Sequence, residues 1–204
     1  VVIAGTIATS ILLTNTNKPL EVAFREGFFQ VISIMTCTGF ASADFIFWPM
    51  AGTVLLFLLM FSGGCTGSTS GGIKMARHLI ALKNIKNVFT KLTHPNMVTS
   101  IKLYGKAIND TTNITITSFI ILYIFIFIVG TVIIVATGLD LISASTSVAT
   151  CMAGIGPGLG IVGPMGNFSS LPEISKVVLS ILMIIGRLEI ITVFVLFGRS
   201  YWRL

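Results

Sequence analysis

The strongest limit on this chain is a half-length apolar segment that runs into a small Thr/Gly turn. Residues 22–35 read as a short helix that ends at Thr36-Cys37-Thr38-Gly39-Phe40. The chain then stays irregular to Trp48 before turning apolar again. Of the 204 residues, 54% are hydrophobic and only 10% charged, with a mean hydropathy of +0.97. A soluble domain carries about 25% charge, so this is the composition of a membrane protein. Irregular backbone at membrane depth is tolerated only where it lines a wet cavity or is buried in protein. Glycine turns carbonyls to one side without steric cost, and threonine adds a hydroxyl oxygen. A row of such oxygens can replace the water shell of a cation.

The other apolar runs fit the same plan. Residues 1–13 fall short of the ~20 residues that span a bilayer. They read as the second half of a membrane helix begun upstream, with no basic stretch or cleavage site of a signal peptide. Residues 14–20 read as an outer loop. Residues 49–61 are apolar but again too short to cross. They stop at Ser62, Gly63, Gly64, Cys65, Thr66, Gly67, Ser68, Thr69, Ser70, Gly71 and Gly72, and a helix resumes over 75–89 with basic residues. Residues 88–110 read as a linker, helical over 97–108. Residues 112–137 read as a spanning helix and 139–149 as a second short one. Ala153-Gly154-Ile155-Gly156-Pro157 then forms a second Gly-rich turn. After a long loop, residues 174–197 read as a continuous last span.

Charge sets the orientation. Between Lys74 and Asn109 lie seven Lys and Arg residues and no Asp or Glu. A basic block between apolar spans is the positive-inside pattern, which turns this segment, with Arg199 and Arg203, toward the cytoplasm. That pattern explains the net charge of +6 without nucleic acid, and it suits contact with anionic membrane lipid. Cys37, Cys65 and Cys151 lack metal-ligand spacing and read as small packing residues.

The two halves repeat. Laid on each other, Leu59-Met60-Phe61-Ser62-Gly63-Gly64 falls against Leu182-Met183-Ile184-Ile185-Gly186-Arg187. The expected fold is therefore an all-α membrane protein built from helix–pore helix–filter–helix units, potassium-channel-like, with a broken inner helix. The first unit covers 1–89, a basic linker 90–111, and the second unit 112–204. The overlay puts Arg187 at the depth of the glycine break. An ionisable residue there needs a partner. The carbonyls and hydroxyls of residues 62–72 are candidates; the alternatives are Glu189 and an acid from elsewhere in the protein.

Four stretches carry a family resemblance: Thr36-Cys37-Thr38-Gly39-Phe40, the run from Phe61 through Ser62-Gly63-Gly64-Cys65-Thr66-Gly67-Ser68-Thr69-Ser70-Gly71-Gly72 to Lys74, Gly156-Pro157-Gly158-Leu159-Gly160, and Gly186-Arg187-Leu188-Glu189-Ile190. In this order they resemble the Trk/Ktr potassium-uptake family, in its TrkH-type subunit, nearly from end to end. The resemblance implies four such repeats on one polypeptide, with this chain matching the third and fourth. It implies filters at Thr36–Phe40 and Ala153–Pro157, with K+, the transported ion, at Cys37, Thr38, Gly154 and Ile155. It implies a gate formed by the loop of residues 62–72 together with Arg187. It further implies the two missing repeats, a homodimer, a cytoplasmic TrkA-type nucleotide-binding ring, and a bacterial inner-membrane, multi-pass location. No organic cofactor and no enzymatic activity are expected on the chain.

Two other readings stand beside this one. A non-conducting scaffold or a less selective K+/Na+ transporter is kept open because Ala153-Gly154-Ile155 lacks side-chain oxygens and Cys37 stands where the family has a hydroxyl. An enzyme would need the phosphate-binding pattern near Gly67–Lys74. That pattern fails, because Ile73 separates Gly72 from Lys74 and Met75 replaces the Ser/Thr. Gly158, Gly160 and Gly163 match a dinucleotide pattern in spacing only, flanked by Pro157 and Pro164.

Overall fold

The computed structural model describes residues 1–14, 19–94, 101–103, 106–188, 190 and 192–193. Among these, α1 (Val2–Thr14), α2 (Leu20–Met35), α3 (Met50–Met60), α4 (Met75–Thr93), α5 (Asp110–Ala136), α6 (Leu141–Ala153) and α7 (Glu173–Arg187) follow in order. A two-residue antiparallel pair, β1 (Lys102–Leu103) and β2 (Lys106–Ala107), joins α4 to α5.

Helix lengths follow from local chemistry. Pro19, Pro49 and Pro172 stand immediately before α2, α3 and α7, where a missing N–H costs no helical bond. The eleven residues of α3 make about 16 Å of helix, half of a bilayer core. By contrast α5, with 27 residues, is the one described helix long and apolar enough to cross a membrane. Its outward positions Ile114, Ile121, Phe125, Ile128 and Val132 are exposed, as a lipid-facing side requires.

Small residues set the packing. In α1, Thr9 is fully buried and returns its hydroxyl to the carbonyls of Gly5 and Thr6. A Cβ at Gly27 of α2 would stand 2.6 Å from that hydroxyl oxygen, so the two helices meet almost backbone to backbone. The buried side of α2, Ala23, Gly27, Gln30, Val31 and Ile34, recurs every three or four residues. The α6 helix is the centre of the molecule. It is buried at ten positions, mostly Ser, Thr and Ala, and it packs on α3, α5 and α7. Two apolar clusters lie on its two sides. One joins Leu13, Val31, Ile34, Phe45, Leu56 and Met60 to Ala149 and Ala153; the other joins Phe119, Tyr123, Ile134, Leu179 and Leu182 to Val148 and Met152.

Three expectations change. The described part of 97–108 forms the β1–β2 pair instead of a helix; its alternating Lys102, Leu103, Lys106 and Ala107 hold too little apolar stripe to bury one side of a helix. The second short helix runs to Ala153, four residues beyond the expected end, because Gly154 supplies a left-handed cap at φ +70°. The α7 helix ends at Arg187 with Leu188 as its cap; residues 190 and 192–193 are helical, and the rest of the 174–197 span lies outside the described residues. Lys74 is buried, not part of a solvated basic block. Glu189, Arg199, Arg203 and the 15–18 part of the first loop lie outside the described residues.

Asp140 caps α6. Its carboxylate accepts from the N–H groups of Ile142 and Ser143, both at 3.2 Å. Hydrogen bonds from Ser143 lower the carboxyl below its ordinary value of 3.8. We expect Asp140→Ala to destabilise the folded protein by about 1 kcal/mol, and Asp140→Asn by much less. A group with a lowered folded-state pKa contributes stability above its unfolded value and loses it in acid. The gap between the wild type and Asp140→Ala should therefore close as pH falls through that lowered value, read by thermal unfolding in detergent.

Candidate functional site

The turn after α2 is closed by its own helix. Thr36 N–H donates to Ile32, Cys37 to Ile34 at 3.1 Å and Thr38 to Ser33 at 2.9 Å. Cys37 has φ +55° and Gly39 φ +77°. Cys37 is the one described non-glycine residue in this left-handed region, a conformation that costs a residue with a Cβ about 1–2 kcal/mol. The Ser33 hydroxyl donates to the Phe40 carbonyl at 2.6 Å, which braces the far end of the turn. The Thr36 and Thr38 hydroxyls lie 2.6 Å apart on its exposed side.

The turn after α6 has the same construction. Gly154 N–H donates to Cys151 at 3.2 Å and Ile155 to Thr150 at 3.0 Å. Gly154 and Gly156 have φ +70° and +115°. The Thr150 hydroxyl donates to the Pro157 carbonyl at 3.1 Å and accepts from Gly156 N–H. Position by position, Ser33, Ile34, Cys37, Thr38, Gly39 and Phe40 correspond to Thr150, Cys151, Gly154, Ile155, Gly156 and Pro157. The second turn is braced more deeply, because Thr146 and Ser143 hydroxyls also hold the main chain of Leu159 and Ile161. The two turns touch: a Cβ at Gly39 would collide with the Ile155 carbonyl oxygen.

Beneath them lies the loop between α3 and α4. Its ends are tied by a parallel bridge between Ser62 and Ile73, with Gly63 N–H donating to the Ile73 carbonyl at 2.8 Å. The Ser70 hydroxyl accepts from Gly64 N–H at 2.8 Å, and Ser68 contacts the same hydroxyl at 3.0 Å. Ser62, Gly63, Gly64, Ser70, Gly71 and Gly72 form the closed base, while Thr66, Gly67, Ser68 and Thr69 make an exposed tip. Gly71 fits under both turns. A Cβ there would collide with the Ala153 carbonyl, and the Gly71 main chain lies beside the Cys37 thiol. The base is held from the side by Phe61, whose ring meets Phe57, Phe127 and Tyr123 at centroid distances of 5.3, 5.0 and 6.4 Å.

Two cations grip the tip. The Lys74 ammonium donates to the Ser68 and Ser70 carbonyls at 2.5 and 2.6 Å. Arg187 Nη1 donates to the Thr69 carbonyl at 2.5 Å, from 118 positions along the chain. Arg187 can reach because Gly186 lets α7 press against α6; a side chain at Gly186 would strike the Met152 carbonyl. A cavity of about 350 Å³ is lined by Arg187 and Gly71 together with Gly154, Ile155 and Gly156.

Of the expected site residues, Gly71, Ala153, Gly154, Ile155, Gly156 and Arg187 line that cavity, while Gly39 meets the Ile155 carbonyl and Cys37 lies beside Gly71; Ala153 is the last residue of α6, buried and helical. Sequence reasoning did not single out Ser33, Thr150 or Lys74. The shared seven-residue spacing of Ser33 to Phe40 and Thr150 to Pro157 was the available signal for the first two. Lys74 was absorbed into the basic block.

The sequence pattern of the TrkH family, described as "Cation transport protein", matches residues 12–203. The chain is 40% identical over 189 residues to the Trk system potassium uptake protein TrkH of Escherichia coli K12, covering 93% of this chain and 39% of that protein. It is 35% identical over 199 residues to TrkI of Halomonas elongata, covering 97% and 40%. Its fold superposes on the crystal structure of the potassium transporter TrkH from Vibrio parahaemolyticus with a TM-score of 0.91 at 34% identity, over 99% of this chain and 43% of that one. The chain spans about two fifths of the length of these relatives.

The Lys74 grip has a measurable consequence. A hydrogen bond to a charged donor contributes about 1.5–3 kcal/mol. We expect Lys74→Met to raise amide hydrogen exchange over 62–74 by about tenfold or more, with the amides of α6 unchanged. Equal exchange in the two proteins would show that the lysine does not hold the loop.

Proposed function

The chain belongs to the TrkH family of cation transport proteins, and from that premise we propose that it forms half of a potassium-uptake pathway. The observation that carries the proposal is the pair of matching turns, braced by the same hydrogen bonds and in contact at Gly39 and Ile155. Each turn directs main-chain oxygens to one side of a left-handed bend. Each lies at the C-terminal end of a short helix, where the partial negative charge of the helix favours a cation. Thr36, Cys37, Thr38, Gly39 and Phe40 form one filter segment and Gly154, Ile155, Gly156 and Pro157 the other, entered from Ala153. K+ is held at the carbonyls of Cys37, Thr38, Gly154 and Ile155.

The two units are α1–α2–turn–α3, continued by α4, and α5–α6–turn–α7. A ring of oxygens around an ion uses four such turns, so two more repeats of the same protein complete the pore. The relatives' greater length, of which this chain spans about two fifths, supports that reading. A homodimer and a TrkA-type cytoplasmic nucleotide-binding ring fit the Trk systems named among the relatives. The protein sits in the bacterial inner membrane with several spans, α4 leading into the cytoplasm and Asn167 facing outside.

The loop of residues 62–72 is the gate. It occupies the position inward of the filter, with Gly71 under both turns, and Lys74 and Arg187 hold its tip. Arg187 also places a fixed positive charge across the cavity from the filter, a barrier to a cation. A less selective K+/Na+ pathway has one observation in its favour. The second turn has no side-chain oxygen at Gly154 or Ile155, so main-chain geometry alone discriminates there.

Rubidium uptake by a cell lacking its own potassium uptake tests the pore reading, using the full-length parent. Gly39→Ala adds a methyl into the Ile155 carbonyl at a left-handed position. It should cut uptake by about tenfold or more while expression persists; unchanged selective uptake rules out the filter assignment, and no uptake by the unmutated parent favours a scaffold. Orientation has its own test. Cysteines placed at Lys91 and Asn167, without native cysteines, should be labelled by an impermeant reagent only at Asn167 in intact cells.

A further inference from the structure

A buried amide stands on the apolar side of α2. Gln30 is 1% exposed and shares that side with Ala23, Gly27, Val31 and Ile34. A carboxamide in such surroundings is costly unless its polar atoms are taken. In the amide orientation that the neighbouring donors require, its oxygen accepts from the N–H groups of Ser42 at 2.9 Å and Ala43 at 3.3 Å. Among the described residues, no main-chain carbonyl takes either N–H. Ser42 and Ala43 belong to the irregular return that leaves the first turn at Phe40, whose own carbonyl accepts from Ser33.

The second unit answers the same demand with a different residue. In the register that sets Ser33 against Thr150 and Phe40 against Pro157, Ser42 falls against Leu159 and Gln30 against Ser147. The Leu159 N–H also donates to a side chain of the short helix, the Thr146 hydroxyl at 3.1 Å. The Ser147 hydroxyl instead donates to the Ala144 carbonyl in its own helix at 2.8 Å. Equivalent amides of the two returns are thus tied back to the two short helices, from neighbouring but different positions. The ties differ in stiffness. Thr146 is β-branched and close to its main chain, and Ser143 adds a second tie at Ile161. The first return hangs on one long side chain.

We propose that Gln30 is a positioning residue for ion selection. By holding Ser42 and Ala43 it fixes, together with Ser33, the main chain of Gly39 and Phe40 from the far side of the turn. It acts through that main chain and not on the ion. Without the amide the return is free to shift, and the carbonyl spacing that discriminates between cations loosens before conduction is lost. The inference rests on the filter reading of this turn.

The test compares rubidium and sodium uptake into vesicles that hold the full-length parent. Gln30→Met keeps the reach and apolar bulk of the side chain and removes the amide. The rubidium-to-sodium ratio should fall by about tenfold while cation flux persists. Val31→Ala trims a neighbouring buried side chain of the same helix; it should lower the melting temperature and leave the ratio unchanged. An unchanged ratio in folded Gln30→Met overturns the proposal. An equal loss of ratio in Val31→Ala also overturns it, because general loosening of α2 would then be the cause. Should Gln30→Met fail to fold, amide exchange in the unmutated parent decides. The Ser42 and Ala43 amides should exchange as slowly as that of Leu159, and exchange at the rate of a free loop overturns the proposal. No rubidium uptake by the unmutated parent overturns the pore reading and this proposal with it, whereas an unchanged ratio overturns the proposal alone.

Discussion

A main chain that leaves helical geometry inside a bilayer must find partners for its N–H and C=O groups without help from lipid. Three described non-helical stretches in this chain find such partners within the protein, from two kinds of supply. The turns after α2 and α6 borrow hydroxyls from the helix before them, Ser33 for the first and Thr150, Thr146 and Ser143 for the second. The loop between α3 and α4 uses the serines of its own sequence for the base and two cations for the tip. Most of the remaining architecture serves these three supplies. The α6 helix is rich in Ser and Thr because its hydroxyls hold the following turn, and α7 crosses it at Gly186 so that Arg187 reaches Thr69.

The same arrangement suits a gate. A loop held mainly through its carbonyls by Lys74 and Arg187 is detachable, since its apolar anchors, Phe61 and Ile73, lie at its ends and not at its tip. The exposed tip from Cys65 to Thr69 contributes little burial. In the proposed mechanism the tip leaves its place while the Ser62–Ile73 bridge stays closed. Stability is then concentrated at the base and mobility at the tip, which is the usual distribution for a moving element.

Much of this was legible before any coordinates. Half-length apolar runs ending in Gly-rich stretches located α3 and the loop almost to the residue, and Thr36–Phe40 stood out as a turn. The left-handed bend at Cys37 was not legible, because a residue with a Cβ gives no sign of positive φ; its counterpart Gly154 does. The end of α6 was misjudged because Ala153 looks like the start of a Gly-rich segment, while the cap that decides it is one residue on. Lys74 was misread for a reason of context. Charge counted over a window cannot separate a lysine turned back into the protein from the solvated ones that follow it.

Ion flux in reconstituted vesicles decides whether the loop and its cations form a barrier. The full-length parent is compared with Arg187→Ala and with a deletion inside residues 64–70, each checked for folding. The account predicts higher potassium flux in both and weaker control by a cytoplasmic partner. Lower flux in both folded variants would contradict it, and would make the loop part of the conduction path instead of its gate.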